Sequence, residues 1–252
     1  SEGKGLAASY LAAHRNITLA TTDASYNAGH TAVVEGNKVI TYHLPMSGVL
    51  SPNAAIYLNA GALIYPPKLF EELSTLDAQG FNVTDRLQIH PNAAIIEEAD
   101  IEAEGAGTNN AKISGTQKGV GEAAARKIRR TAAVASSHPE LGGFLKMVDV
   151  IRFKSVCVEV AQGYSLGINA GFYPHCTHRA CTPAQGLMSA GIPTTYPHMA
   201  MAVVRVNPIR VGNLPEGYSG GSYPDQQETT WEALGVQPSY TTVTKRMRRV
   251  FT

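Results

Sequence analysis

Charge of either sign is scarce in this 252-residue chain: Asp, Glu, Lys and Arg make up 16%, and the net balance is +1. So neutral a composition argues against a broadly basic nucleic-acid binder and leaves anion recognition to local patches, so an anionic ligand is expected to be small. Cysteine is scarce too. Cys157, Cys176 and Cys181 form an odd set in a chain read as having no secretory leader, which argues against a disulfide framework and for reduced thiols. No apolar run approaches the roughly 20 residues of a membrane helix; the strongest, Ala54 to Pro66, is interrupted by Asn59 and Gly61. The expectation is a cytoplasmic protein with neither membrane nor nucleic acid as partner. The sequons at Asn16 and Asn82 matter only in a secreted chain.

What is present is enough hydrocarbon, 44% of residues, for one sizeable core, and no internal repeat or low-complexity linker divides it. A single domain over 1–252 is expected. Leu6 to His14 lacks Gly and Pro and reads as a short helix directly behind a glycine-rich opening. Ile17 to Thr21 suits a buried strand. Thr31 to Val34 and Val39 to His43, joined by Glu35-Gly36-Asn37-Lys38, suit a hairpin. Pro67 opens a helix with Leu69, Phe70, Leu73 and Leu76 on one face and Gly80 as its left-handed stop.

Glu122 to Ser136 is Ala- and Arg-rich and predicts a helix, while Ser155 to Val160 predicts a buried strand ending at Ala161-Gln162-Gly163. Thr182-Pro183 supplies an N-cap and a first helical residue. Residues 213–225, dense in Gly, Pro, Ser and Tyr, predict a long loop. Strands alternating with helices give an α/β class: a mostly parallel central sheet flanked by helices, with a small hairpin and long loops.

Two short motifs carry chemistry. Ser1-Glu2-Gly3-Lys4-Gly5 lets backbone N–H groups approach phosphate oxygens ahead of a helix N-terminus, although it is not the full G-x-x-x-x-G-K-[ST] pattern. Asn27-Ala28-Gly29-His30-Thr31 offers a carboxamide, an exposed backbone and a proton donor, in a segment that also suits a plain β-turn. A third cluster, His175-Cys176-Thr177-His178-Arg179-Ala180-Cys181, has zinc-ligand residue types at a spacing that fits no common finger. The basic run Lys245 to Arg249 lacks the aromatic platforms and recognition-helix pattern of a nucleic-acid binder.

In order and spacing, these loops and three later segments resemble the adenylosuccinate synthetase family. The later segments are Ile113-Ser114-Gly115-Thr116-Gln117-Lys118-Gly119-Val120-Gly121, then Val158-Glu159-Val160-Ala161-Gln162-Gly163 with Tyr173-Pro174 and Thr177, and finally Thr242 to Val250. Leu44 to Leu50 resembles a further signature of that family, and the likeness runs over most of the chain. It implies a P-loop-like synthetase fold whose first strand and C-terminal donor-base segment are expected outside these 252 residues. It also implies a carbon–nitrogen ligase that phosphorylates the purine 6-oxygen and then displaces that phosphate with the aspartate amine.

The roles below are those the resemblance implies. Glu2, Gly3, Lys4, Gly5, Gly29, His30 and Thr31 would hold the donor's phosphates. Ser1 and Gly29 would hold Mg²⁺. Asn27, Thr116, Gln162, Thr177 and Arg246 would hold the substrate nucleotide together with Ser1, and Arg130 would reach in from the partner of a homodimer. Val243, Thr244, Arg246 and Arg248 would hold L-aspartate, since guanidinium forks match carboxylates. Lys4 and His30 would stabilise the moving phosphoryl group and Gln162 the purine edge, with Ser1 completing the catalytic set.

Two departures matter. Lys245 stands where the family usually has glycine, and Ser1 stands where cellular members have an aspartate that acts as base. A hydroxyl titrates too high for that task unassisted. Serine at this position resembles the bacteriophage branch of the family, which makes 2-aminoadenylosuccinate nucleotides from dGMP with ATP or dATP for diaminopurine DNA. A chain of that kind would work in the host bacterial cytoplasm. The sequence leaves two alternatives, an ordinary adenylosuccinate synthetase using IMP, aspartate and GTP, and a non-catalytic nucleotide-binding relative.

Overall fold

A computed structural model describes residues 3–252 of the chain. In order, it contains α1 (Lys4–His14), β1 (Leu19–Thr22), β2 (His30–Val34), β3 (Asn37–Thr41), α2 (Met46–Leu50), β4 (Ala55–Leu58), β5 (Leu63–Ile64), α3 (Pro66–Ala78), β6 (Leu87–Ile89) and β7 (Ala94–Ile95). Then come α4 (Glu98–Ala103), α5 (Asn109–Lys112), α6 (Val120–Arg129), β8 (Val156–Glu159), α7 (Pro183–Ser189), β9 (Ile209–Arg210), β10 (Glu228–Thr229) and β11 (Arg249–Phe251).

The central sheet is four-stranded and parallel throughout, in the order β6-β4-β1-β8. All four residues of β1 are buried, as a strand covered on both faces requires. Ile56, Leu58, Ile64, Leu69, Leu76 and Ile89 form the main core between this sheet and α3. The apolar face of α3 is the expected one, and Gly80 stops it at φ 87°. That face also buries Glu72, whose carboxylate accepts the backbone N–H groups of Tyr42, His43 and Leu44 at 2.7, 2.8 and 3.1 Å. A buried carboxylate is tolerable only when so satisfied.

Three sequence expectations need correction. The hairpin connector is two residues, not four. Glu35 and Gly36 both take positive φ, 49° and 80°, which matches the twist of the flanking strands, and β3 begins at Asn37. The helix expected to reach Ser136 ends at Arg129, with Arg130 left-handed at φ 64°. Beyond it the backbone is used elsewhere: Ile95 N–H donates to the Ala133 carbonyl at 2.9 Å and Ala135 N–H to Ala93 at 2.8 Å. Finally, β8 is half-buried rather than buried, because among the described residues it is an edge strand.

Candidate functional site

Ligands in sheets of this kind gather beyond the carboxyl ends of parallel strands. A cavity of about 470 Å³ opens there, past the ends of β1 and β8. Its walls include Lys4 from α1, Asn27 to His30 from the connection after β1, Thr116, Gln162, Thr177, Val243, Thr244 and Arg248. Segments more than two hundred residues apart in sequence thus meet around one space.

The start of α1 shapes one wall. Gly3 caps the helix in the left-handed region, at φ 96°, a conformation that favours glycine. Lys4 Nζ donates to the Gln162 carbonyl at 3.0 Å, tying the helix start to the turn after β8. Gln162 is itself left-handed, at φ 62°, and such conformations on non-glycine residues concentrate at functional sites. Gly5 and Thr31, expected beside the donor's phosphates, instead pack against each other outside the cavity wall. A Cβ at Gly5 would stand 2.3 Å from the Thr31 carbonyl oxygen, so glycine there lets α1 lie directly on β2.

His30 is 6% exposed, and its Nδ1 lies 3.6 Å from Oε2 of Glu159, the last residue of β8. The same carboxylate accepts the Ser47 N–H at 2.7 Å and the Met46 N–H at 3.2 Å. Burial alone would push this carboxyl up, but the neighbouring His30 and the bond from Ser47 hold it below its usual range. An ionised Glu159 orients Nδ1 of the imidazole and leaves Nε2 for the cavity.

The third wall is the 113–121 segment. Glu104, 3% exposed, accepts N–H groups from Lys118, Gly119 and Gly121 at 2.9, 2.8 and 2.7 Å, and burial pushes its carboxyl up. The amides of Lys118, Gly119 and Gly121 are therefore already answered, while Thr116 lines the cavity.

The last wall comes from residues 241–248. Val243, Thr244 and Arg248 line the cavity, with Arg248 Nη1 also donating to Ser239 Oγ at 2.7 Å and to the Tyr240 carbonyl. Arg246 sits differently from its expected place. Its Nη1 donates to the Gly212 carbonyl at 3.0 Å, and Nη2 to those of Ser114 and Gly115 at 3.0 and 2.9 Å, so the guanidinium clasps two loops together behind the cavity wall. Lys245 occupies the left-handed region at φ 55°, the conformation glycine takes most readily. Gly29 backs onto this segment: a Cβ there would lie 2.6 Å from Thr242 Cγ2. Arg130 is exposed and outside the cavity. Ser1 and Glu2 lie outside the described residues.

Sequence reasoning missed Glu159, Glu104, Asp23 and Arg179. A lone acid inside an apolar strand was the available sign for Glu159. Asp23 and Arg179 carry no local pattern, and meet only in the fold, where their side chains pair at 2.5 Å. Of the zinc-like cluster, His175, Cys176 and His178 line the same cavity, yet among the described residues no group of three or more His, Cys, Asp or Glu is placed to hold a metal. Desolvation and the neighbouring Arg179 push His178 down to about 4.

The sequence pattern described as adenylosuccinate synthetase matches residues 1–140 and 144–251. The chain belongs to the adenylosuccinate synthetase family. It is 37% identical over 268 residues to the N6-succino-2-amino-2'-deoxyadenylate synthase of Vibrio phage phiVC8, covering all of this chain and 76% of that protein. Against the adenylosuccinate synthetase of Pyrococcus horikoshii the identity is 33% over 258 residues, with 99% and 73% covered. Among solved structures, the succinoaminodeoxyadenylate synthetase of cyanophage S-2L, bound to dGMP and to dATP as an energy donor, superposes with a TM-score of 0.86 at 37% identity, over 100% of this chain and 75% of that one. The fully ligated adenylosuccinate synthetase from Plasmodium falciparum shares the fold, with a TM-score of 0.77 at 21% identity, over 99% of this chain and 68% of that one. As a member of the adenylosuccinate synthetase family the chain is a ligase that forms carbon–nitrogen bonds. Among the described residues no helix is long and apolar enough to cross a membrane.

Proposed function

We propose that this chain condenses L-aspartate with dGMP, driven by ATP or dATP through a 6-phosphoryl purine, to give the 2-amino-deoxyadenylosuccinate nucleotide used for diaminopurine DNA in a phage-infected bacterial cytoplasm. The observation that carries the reading is the likeness, along the whole of this chain, to about three quarters of the length of phage synthases of this activity, joined to a cavity whose walls are the segments the chemistry needs. Lys4 and the α1 N-terminus would meet the donor's phosphates, and His30, oriented by Glu159, would donate to oxygen at the site of transfer. Asn27, Thr116, Thr177 and Gln162 would hold the substrate nucleotide, and Thr244, Val243 and Arg248 the aspartate. Arg246 would support both from behind, through the loops it clasps. Arg130, exposed at the end of α6, would serve the cavity of a second copy in a homodimer.

Mg²⁺ fits this donor set in one form. The cavity's one carboxylate among the described residues, Glu104, is occupied by amides, and Gly29 contributes backbone at the wall. Such a set suits an ion held mainly by phosphate oxygens and water with Gly29 beside it, and that ion would supply charge neutralisation at the phosphates.

The test is phosphate release with aspartate and Mg²⁺, comparing dGMP plus ATP or dATP with IMP plus GTP. Preference for dGMP is expected. Preference for IMP would return the chain to ordinary purine synthesis, and silence with both would mark a non-catalytic relative.

A further inference from the structure

Behind the cavity wall runs a line of polar contacts that the proposed chemistry does not use. Ser189 Oγ donates to Asp23 Oδ2 at 2.8 Å. The Asp23 side chain is 1% exposed, and its Oδ1 lies 2.5 Å from Arg179 Nη1, which also donates to the Asp23 carbonyl at 2.8 Å. Arg179, whose side chain is 10% exposed, reaches Gln162 Oε1 with Nη2 at 3.4 Å. Gln162 lines the cavity, whereas Arg179 and Asp23 do not.

A carboxamide has an accepting end and a donating end of nearly the same size, and nothing in its shape decides which faces a ligand. A guanidinium has only donors. The end of Gln162 turned toward Arg179 must therefore be the oxygen, and the end left for the cavity is the amino group. Asp23, held by Ser189, fixes the guanidinium, so the choice is made two side chains away from the ligand.

We propose that Arg179 is a positioning residue that presents the Gln162 amino group to the purine and so selects bases with an acceptor at C6. The inference rests on the substrate reading above. A 6-oxo purine offers oxygen at that position. A 6-amino purine of the same shape sets donor against donor, so the site would turn away nucleotides of the 2,6-diamino class while admitting dGMP.

The experiment measures, by calorimetry, the affinities of dGMP and of the 2,6-diaminopurine deoxynucleoside monophosphate for the intact chain and its variants. The unaltered protein is expected to favour dGMP. In Arg179→Ala the amide is free to turn over, and the preference should fall about tenfold, the worth of one hydrogen bond set against one unpaired group. Arg179→Lys, still donor-only, should retain most of it. A merely structural role would weaken both nucleotides alike and leave the ratio unmoved, which would overturn the proposal. Should Arg179→Ala fail to fold, Gln162→Glu gives an independent reading. It turns an acceptor toward the base and should shift the ratio toward the diamino nucleotide, and an unchanged ratio again overturns the proposal. If the unaltered protein binds neither nucleotide, the substrate reading itself falls, an outcome distinct from strong dGMP binding that ignores Arg179.

Discussion

Up to residue 160, most of the large fully buried side chains are hydrocarbon, Leu19, Ile56, Leu58, Ile64, Leu69, Leu76 and Ile89 among them, joined by Tyr57 and Met46. From 161 onward the buried hydrophobics are Ala161, Leu187, Ala190, Val250 and Phe251, and regular structure shrinks to α7 and three short strands. What orders that second stretch is arginine. Arg210 donates to the carbonyls of Ser219 and His175, Arg246 to three carbonyls, Arg248 to Tyr240, and Arg249 to Gly220 while pairing with Glu228. The first region gains stability from area removed from water, the second from charge-assisted bonds that close loops onto each other. A cavity built between them gets a rigid floor and an adaptable roof.

The largest expected effect lies in the hydrocarbon half. Ile56→Ala, at a site with no exposure, should lower unfolding free energy by about 3 kcal/mol. A urea midpoint unchanged within error would mean that the sheet is not what holds this region. Next is a pH effect in the loop half. The His178 pKa is depressed in the fold, so its unfolded form binds the proton first as pH falls below about 6.5, and stability is lost from there down to about 4. Between pH 7 and 5 this amounts to about 2 kcal/mol. His178→Asn should remove that part of the pH dependence, and a parallel profile in the variant would refute it.

Arg246→Ala should cost less globally, about 1 to 2 kcal/mol, because two of the three abandoned carbonyls belong to the part-exposed Gly115 and Gly212, and Ser114 alone is fully buried. Its signature should be local: faster amide exchange in residues 212–220 and 241–247, and a raised KM for aspartate. Slowed exchange nowhere but faster exchange throughout β1 and β4 would erase the distinction between the regions. Smallest is Lys245→Gly. Relief of the left-handed backbone should raise stability by about 0.5 to 1 kcal/mol, read from the thermal midpoint.

The half held by hydrocarbon was also the half legible in the sequence. The α1 helix, the hairpin, α3 and the parallel class follow from local periodicity and from glycine and proline punctuation. The sequence overstates the length of α6 because its Ala-rich tail has helical propensity, while the pairing of Ala133 and Ala135 with the β7 region is non-local. Of the residues that line the cavity, Lys4, Asn27, His30, Gln162 and Arg248 lie in segments whose motif order is visible in the sequence. By resemblance Arg246 reads as a ligand to both the substrate nucleotide and aspartate, and nothing within its own loop announces the carbonyls of Ser114 and Gly115, which come from far away in the chain. Glu159 lay within a quoted motif, but only the fold reveals His30 beside it. The contact between Asp23 and Arg179 spans 156 residues and left no local trace.

The bare backbone contact at Gly5 has a mechanical consequence. With no atom larger than hydrogen between α1 and Thr31, helix and hairpin are keyed like a dovetail. A pull on the helix start, where Lys4 faces the cavity, is handed to Thr31 without slack and so to its neighbour His30. On the proposed roles of Lys4 and His30, the grip on one ligand and the aim of the imidazole would then share a single moving part.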